Sequence, residues 1–235
     1  MNIYSTIKIY SQTDKIPFLL NRNYFLAERV SSKKVLHVGC SDFPITNERL
    51  KSGNLLHAHL NSCTSNILGI DISQNGIDIL KKNGFANVMH MNAEEINLKD
   101  KYDFIVAGDV IEHINNPGKF LERVPNLLNL KGTLIICVPN AYSFNIIKYF
   151  AGMEPTHSDH TFHFSVKSLS ELCSRYDLLP TKLAFTVQPK GKYESQLFIT
   201  LRNALIKLRK RLSPSFIMEF QVAKEIETRK YFEWK

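Results

Sequence analysis

The sequence predicts an α/β fold with a doubly wound, seven-stranded and mostly parallel sheet whose last strand is antiparallel. Short apolar runs alternate along the 235 residues with segments of helical periodicity. That alternation is typical of a parallel sheet covered by helices on both faces. The first two runs also end at Gly39 and Asp71, and in such folds ligands bind at the carboxyl edge of the strands.

The order of elements follows from the apolar runs and their end signals. Ser73 is a candidate helix N-cap, Asn83-Gly84 ends that helix, and Pro117 begins another. The predicted strands are 35–38, 66–70, 87–90, 103–107, 133–138, 181–187 and about 216–222. The predicted helices are 23–30, 50–60, 74–82, 117–128, 167–176 and 197–212.

Composition favours one soluble domain over residues 1–235, with a basic helical insertion at about 190–214 and a mobile tail at 225–235. No signal peptide is visible, and no uncharged apolar run reaches the roughly 18 residues of a membrane span. The cysteines form no CxxC pair, so we expect a reducing cytoplasm rather than a disulfide framework. They are Cys40, Cys63, Cys137 and Cys173.

The positive charge is concentrated near the C-terminus. Seven basic residues and one acid between 190 and 212 leave +6 of the net charge of +8. This segment has an apolar helical face, formed by Leu197, Leu201, Leu205, Leu208 and Leu212. Either the basic face is merely solvated, or residues 202–211 attract an anionic partner such as a lipid-linked glycan at the membrane surface or a nucleotide sugar. Nucleic acid is disfavoured, because no aromatic residues interleave with the basic ones. The oligomeric state is left open.

Polar and glycine residues follow four of the predicted strands. Gly39-Cys40-Ser41 follows the first, and Asp71, after the second, is placed to accept both hydroxyls of a ribose. Asn92-Ala93-Glu94 follows the third, where an acid or amide can bind an adenine edge. The run 107–113 leaves the fourth strand toward the position where a reacting group would lie.

Over residues 30–187 the sequence resembles the class I S-adenosylmethionine-dependent methyltransferases in five motifs and in their order. The motifs are VLHVGC, ILGIDIS, MNAEE, YDFIVAGDVIEHINNPGKFL and GTLIICVPN. The resemblance implies a Rossmann-like methyltransferase fold with S-adenosylmethionine as cofactor. It implies that Gly39, Cys40 and Ser41 line the methionine end, and that Asp71 binds the ribose. The remaining implied pocket residues are Ile72, Asn92, Ala93 and Glu94 at the adenine, Gly108 and Asp109 beside the sulfonium, and Val110 and His113 near the pocket wall.

Two residues depart from the family pattern. His37 stands where an acid is usual, and Ser41 where a second glycine is common. Both put the contacts to the methionine amine and carboxylate in question. A dinucleotide oxidoreductase fits less well, since the turn at Gly39 lacks the glycines that let a pyrophosphate approach.

Histidines supply the candidates for a general base. His160 and His163 lie in a polar loop after the fifth strand, and His113 and Asp109 are further candidates. An unperturbed imidazole can accept a hydroxyl proton near neutral pH. A similar histidine stretch in methyltransferases of bacterial surface-glycan biosynthesis suggests a saccharide hydroxyl as acceptor. The alternatives are a quinone-like or small aromatic acceptor, and a non-catalytic nucleotide- or RNA-binding module. No metal site is predicted.

Overall fold

A computed structural model describes residues 18–19, 21–144, 146, 150, 152, 159–186 and 196–223. The strands are β1 (Phe18–Leu19), β2 (Val35–Val38), β3 (Ile67–Asp71), β4 (Val88–His90), β5 (Tyr102–Gly108), β6 (Leu128–Pro139), β7 (Leu178–Thr186) and β8 (Ser215–Val222). The helices are α1 (Arg22–Arg29), α2 (Thr46–Lys51), α3 (Leu56–Cys63), α4 (Gln74–Lys82), α5 (Pro117–Leu127), α6 (Val166–Ser174) and α7 (Gln196–Leu208).

The strands form one sheet in the order β4-β3-β2-β5-β6-β8-β7-β1. Strands β2 to β6 are parallel, and β8 lies antiparallel between β6 and β7. The predicted fold class and the antiparallel last strand are therefore confirmed. The two-residue β1, which pairs with β7, is an addition to the seven predicted strands, and a run that short carries no periodic pattern.

Alternate residues of β5 enter two separate cores. Ile105 and Ala107 pack with Phe120 of α5 on one face of the sheet. Phe104 and Val106 pack with α1 and α3 on the other face. Because successive strand side chains point to opposite faces, an uninterrupted apolar run indicates a strand covered on both sides. Burial of each large apolar side chain stabilises the fold by roughly 1.5–3 kcal/mol.

Two helix predictions need correction. The segment predicted as one helix over 50–60 is two short helices, α2 and α3, separated at Gly53, whose φ of 67° is left-handed. In α7 the predicted leucine face is wrong where side chains are described, because Arg202 and Ile206 are the buried residues and Leu208 is 71% exposed. The side chains of Leu197 and Leu201, and the predicted tail at 225–235, lie outside the described residues. Within the described part of the chain no helix is both long and apolar enough to span a bilayer.

Helix α1 is fixed to the sheet by a buried charge. Glu219 of β8 is almost fully buried and accepts two hydrogen bonds from the Arg29 guanidinium, at 2.8 and 3.0 Å. The Lys182 ammonium lies 3.5 Å from the same carboxylate. A buried carboxylate needs such partners, because leaving it unpaired would cost several kcal/mol. The pairing holds the last turn of α1 against the strands.

A buried histidine pair lies between β2 and α3. His37 and His57 are both about 1% exposed, their Nδ1 atoms are 3.1 Å apart, and their rings stack. Burial, with the neighbouring imidazole, lowers the pKa of His37 well below its usual value, and burial lowers the pKa of His57 to about 4. His37 is therefore a neutral core residue that lies behind the edge of the sheet.

This pair predicts acid-sensitive stability. The unfolded chain takes up protons at both imidazoles below about pH 6.5, whereas the folded chain does not. The free energy of unfolding should therefore be at its full value above that pH and fall as the pH drops toward about 4. Urea unfolding of His37→Leu/His57→Leu across this range should show a flatter pH dependence than wild type, while half-buried His59→Leu should not. An equally steep dependence in the double variant would contradict this assignment.

Candidate active site

A cleft of about 820 Å³ opens at the carboxyl ends of the parallel strands. Strand register creates it, since Val38 of β2 pairs with Ile70 of β3 on one side and with Ala107 of β5 on the other. The residues that follow these three strands therefore emerge side by side. Gly39, Asp71 and Asp109 all line the cleft.

The Asp71 carboxylate is held in one orientation by the backbone. Its Oδ2 accepts from the Ser41 N–H at 2.8 Å, and its Oδ1 accepts from the Ser73 N–H at 2.9 Å. Ser73 in turn caps α4 through the Gly76 N–H, at 3.1 Å. Each carboxylate oxygen can accept a further hydrogen bond, so the half-buried Asp71 can also bind two vicinal hydroxyls.

Gly39 occupies a position that no other residue fits easily. Its φ is 74°, and a Cβ built there would lie 2.2 Å from Val110 Cγ2. The turn after β2 is thus packed directly against the turn after β5. Bare backbone is left facing the cleft, which lets a bulky ligand lie against it.

An ion pair joins the start of α1 to the cleft. The Arg22 guanidinium donates to Asp109 Oδ2, and the Asp109 N–H donates to the Cys137 carbonyl at 2.9 Å. The carboxylate raises the pKa of Arg22 further above its usual value, against the opposing effect of burial. Asp109 Oδ1 is buried and has no hydrogen-bond partner among the described residues. Asp109 Oδ1 is thus a buried acceptor whose hydrogen-bonding capacity the described residues do not use.

Glu112 is a second buried acid in the cleft. It is about 1% exposed, and neither side-chain oxygen has a hydrogen-bond partner within the described ranges. Burial, together with the nearby Asp109 charge, raises the pKa of Glu112 to about 8. The carboxyl group is therefore largely protonated at neutral pH and can donate a hydrogen bond.

Three histidines line the cleft close to Glu112. The His113 and His160 rings are 4.7 Å apart edge-to-face, and His163 is 6.5 Å from His160. The N–H groups of Thr161 and Phe162 donate to the Glu112 carbonyl, at 2.8 and 3.2 Å. This backbone pairing brings the loop onto the end of β5.

The same cluster has distances that a cation could use. Ligand atoms of Glu112, His113 and His160 lie within 4.8 Å of one another. Histidine and carboxylate ligands suit several divalent metals. The expectation of no metal site remains a prediction.

The opposite end of the cleft carries the predicted adenine-binding residues. Ile72 is 68% exposed beside Asp71. Asn92 Oδ1 accepts from the Glu94 N–H at 2.9 Å, and Glu94 Oε1 accepts from the Asn116 N–H at 3.2 Å. The Asn92–Glu94 turn is thus ordered by its own side chains, and its apolar atoms can flank a ring.

Most of the predicted site residues come together in this cleft. Those that line it are Gly39, Asp71, Ile72, Asn92, Ala93, Glu94, Asp109, Val110, His113, His160 and His163.

Three predicted residues do not contribute side chains or lining to the cleft. Cys40 packs in a core with Ile77 and Leu80 behind the turn, and burial raises the pKa of its thiol. The Ser41 hydroxyl is buried against Gly76. Gly108 is buried and faces Leu56 on α3. The predicted lining roles of Cys40, Ser41 and Gly108 are corrected accordingly, although the Ser41 N–H does orient Asp71.

Arg22 and Glu112 were missed by the sequence analysis. Arg22 precedes a predicted helix by one residue and reaches Asp109 across 87 positions of sequence, so no local pattern marks it. Glu112 lies inside the motif DVIEH, and an acid next to a candidate histidine was the available indication.

A family profile described as a methyltransferase domain matches residues 15–183, and the chain belongs to this family. Among curated proteins it is similar to the ubiquinone biosynthesis O-methyltransferase of Glaesserella parasuis serovar 5, with 26% identity over 62% of this chain and 64% of that protein. The Rickettsia felis protein of the same name is 26% identical over 72% of this chain and 69% of its own length. For the first of these relatives, the match spans less than two thirds of the protein.

Solved structures agree on the fold. A Haloferax volcanii protein in complex with the methyltransferase activator Trm112 has a TM-score of 0.63, at 13% identity over 95% of each chain. A magnesium protoporphyrin IX methyltransferase from Synechocystis, with bound S-adenosylhomocysteine, has a TM-score of 0.53, at 14% identity over 83% of this chain and 77% of that one.

The contact between Gly39 and Val110 gives a test of the site's packing. Gly39→Ala should lower the free energy of unfolding by about 1–3 kcal/mol, because it combines a left-handed backbone with a clash. Val110→Ala removes the clashing methyl group. The double variant should therefore lose less free energy of unfolding than the sum of the losses in the two single variants. Chemical denaturation of the four proteins measures this coupling. Strict additivity would contradict the described packing.

Proposed function

We propose that the protein transfers a methyl group from S-adenosylmethionine to a hydroxyl of a quinone-like or other small aromatic acceptor. The observation that carries the proposal is the cleft itself, in which Asp71 and Asp109 stand at the ends of the two strands that flank β2, beside a histidine cluster. The two ubiquinone O-methyltransferase relatives support an aromatic acceptor over the saccharide expected from the histidine stretch.

The residues present fit the cofactor. Asp71 would accept the ribose hydroxyls, and the exposed Ile72, with the Asn92–Glu94 turn, would flank the adenine. The Asp109 carboxylate in the cleft lining would attract the methionine ammonium, and the Arg22 guanidinium paired with it would attract the methionine carboxylate. S-adenosylmethionine supplies a methyl group on a sulfonium, which is open to in-line attack by an oxygen nucleophile.

We call the part of the cleft that is lined by residues within 139–163 and by Pro214 its acceptor half, and its walls are both apolar and polar. The apolar residues are Pro139, Ala141, Ile146, Phe162 and Pro214, and the polar ones include Ser143, Asp159, His160 and His163. The polar Asn140 also borders this half, but its amide is already engaged. Its Nδ2 donates to two carbonyls of the 210–213 turn, and its Oδ1 accepts from the Tyr142 N–H. A flat ring with one reacting hydroxyl suits the apolar walls, while the histidines can accept the proton of that hydroxyl.

His160 is the best-placed group to accept the acceptor's proton. It lies between His113 and His163 in the half-buried wall of the cleft. Asp109 is less suited, because its Oδ2 is already paired with the Arg22 guanidinium and its Oδ1 is buried. Glu112 is also less suited at neutral pH, since a carboxyl group with a pKa of about 8 retains its proton. Glu112 instead provides a neutral donor beside the imidazoles.

The ribose contact predicts a loss of cofactor affinity in Asp71→Ala. The variant lacks the acceptor for both hydroxyls, so we expect binding of S-adenosylmethionine to weaken by at least about tenfold in calorimetric titration. Asp78→Ala, on the exposed face of α4, removes an equal charge and should bind like wild type. Unchanged affinity in Asp71→Ala, with Gly76 amide exchange showing an intact α4 start, would overturn the ribose placement.

The acceptor assignment predicts that the protein methylates catechol but not hexoses or sugar nucleotides. Transfer of a radiolabelled methyl group from S-adenosylmethionine to each compound measures this.

The assignment of His160 as the base predicts that His160→Ala lowers kcat about a hundredfold, the usual contribution of a positioned base, with little change in cofactor affinity. His59→Ala, outside the cleft lining, serves as the matched control. Turnover of a hexose and none of catechol would instead support the saccharide acceptor.

A further inference from the structure

The C-terminal end of α7 forms an exposed surface of mixed apolar and basic character. We call residues 205–211 the basic rim. Leu205 is 37% exposed and Leu208 is 71% exposed, and Arg209 and Arg211 are also exposed, with Lys210 half-buried between them. The end of α7 and the turn after it thus combine exposed apolar and cationic side chains, the two kinds of group that an interfacial surface needs.

Hydrogen bonds attach the basic rim to the wall of the cleft. The Asn140 amide donates to the carbonyls of Arg211, at 2.7 Å, and Ser213, at 2.9 Å. The Asn140 N–H donates to the Pro214 carbonyl at 2.8 Å, and the Phe144 N–H donates to the Leu212 carbonyl at 2.9 Å. Asn140 and Pro214 both line the acceptor half of the cleft. The basic rim therefore has a fixed position beside the acceptor entrance.

An aromatic side chain extends the same surface. Tyr142 is 66% exposed, and its N–H donates to Asn140 Oδ1 at 3.1 Å. Tyrosine favours the boundary between headgroups and acyl chains, because its ring is apolar and its hydroxyl is polar. Tyr142 and the basic rim are thus linked through Asn140, whose side chain binds the backbone of both Tyr142 and Arg211.

We propose that the basic rim and Tyr142 dock the protein on an anionic lipid bilayer with the acceptor half of the cleft next to the lipid. The arginines would meet lipid phosphates, and the leucines would enter the headgroup–acyl boundary. The exposed apolar residues favour a bilayer over nucleic acid, which would need only the charge. This interaction goes beyond methyl transfer and can be measured without cofactor or acceptor.

The test is flotation of the full chain with vesicles of phosphatidylcholine alone and of phosphatidylcholine with phosphatidylglycerol. We expect binding to the anionic vesicles only, and a marked decrease at about 0.5 M salt, where surface charges are screened. Arg209→Glu/Arg211→Glu should lower the partition coefficient at least about tenfold, because each basic residue near an anionic surface contributes strongly. Leu205→Ser/Leu208→Ser should also weaken binding, since apolar insertion is lost.

A matched control separates docking from net charge. Lys81→Glu/Lys82→Glu makes the same charge change on the exposed end of α4, which packs near β4 at the opposite edge of the sheet. This variant should bind anionic vesicles like wild type. Binding of S-adenosylhomocysteine by each variant reports that the fold and the cofactor half are intact.

Three outcomes would overturn the proposal. They are the absence of flotation with anionic vesicles, an equal loss of binding in the Lys81/Lys82 control, and retention of a single-stranded RNA by protein that does not float. Methyl transfer to a soluble acceptor would survive each of them, so failure of the docking proposal is distinguishable from failure of the proposed function.

Discussion

The parallel pairing of β2 with β3 and β5 is the constraint on which the candidate site depends. Its register aligns Val38, Ile70 and Ala107, so the next residues of all three strands emerge at one edge. Gly39, Asp71 and Asp109 are far apart in sequence but adjacent in space for this reason alone. A slip of one residue in any of these strands would exchange the side chains that enter its two cores, and the residue at its end would no longer meet the others in the cleft.

Electrostatics then give the cleft its chemical character. Asp71 and Asp109 bring negative charge to this edge, where Glu112 stays largely protonated at neutral pH, and Arg22 offsets part of the charge of Asp109. Burial raises the pKa of Asp42, whose carboxyl also lines the cleft. Helix α1 carries an ion pair at each end, with Arg22 to Asp109 and Arg29 to Glu219. The helix that covers one core face therefore also sets the charge beside the reacting position, which suits a cationic cofactor.

The sequence predicts those features that depend on local pattern. Apolar runs indicate the strands, and the glycine and aspartate that end them indicate the ligand edge, so the fold class and most of the cleft lining were predictable. Directions of side chains within turns were not. The left-handed backbone at Gly39 resets the alternation of side chains, which turns Cys40 and Ser41 into the core. In α7 the leucine spacing was misleading, because Arg202 and Ile206 take the buried positions, while the contact from Arg22 to Asp109 depends on tertiary structure alone.

Calorimetric titration of the wild-type chain tests most directly whether this edge of the sheet is a methyl-donor site. The titrants are S-adenosylmethionine, S-adenosylhomocysteine and NAD. Saturable binding of the first two and none of NAD is expected, because Asp71 and the Gly39 turn suit one nucleoside and the turn lacks the glycines that a pyrophosphate needs. Absence of binding by both adenosyl compounds to protein shown to be folded, or tight binding of NAD, would contradict it.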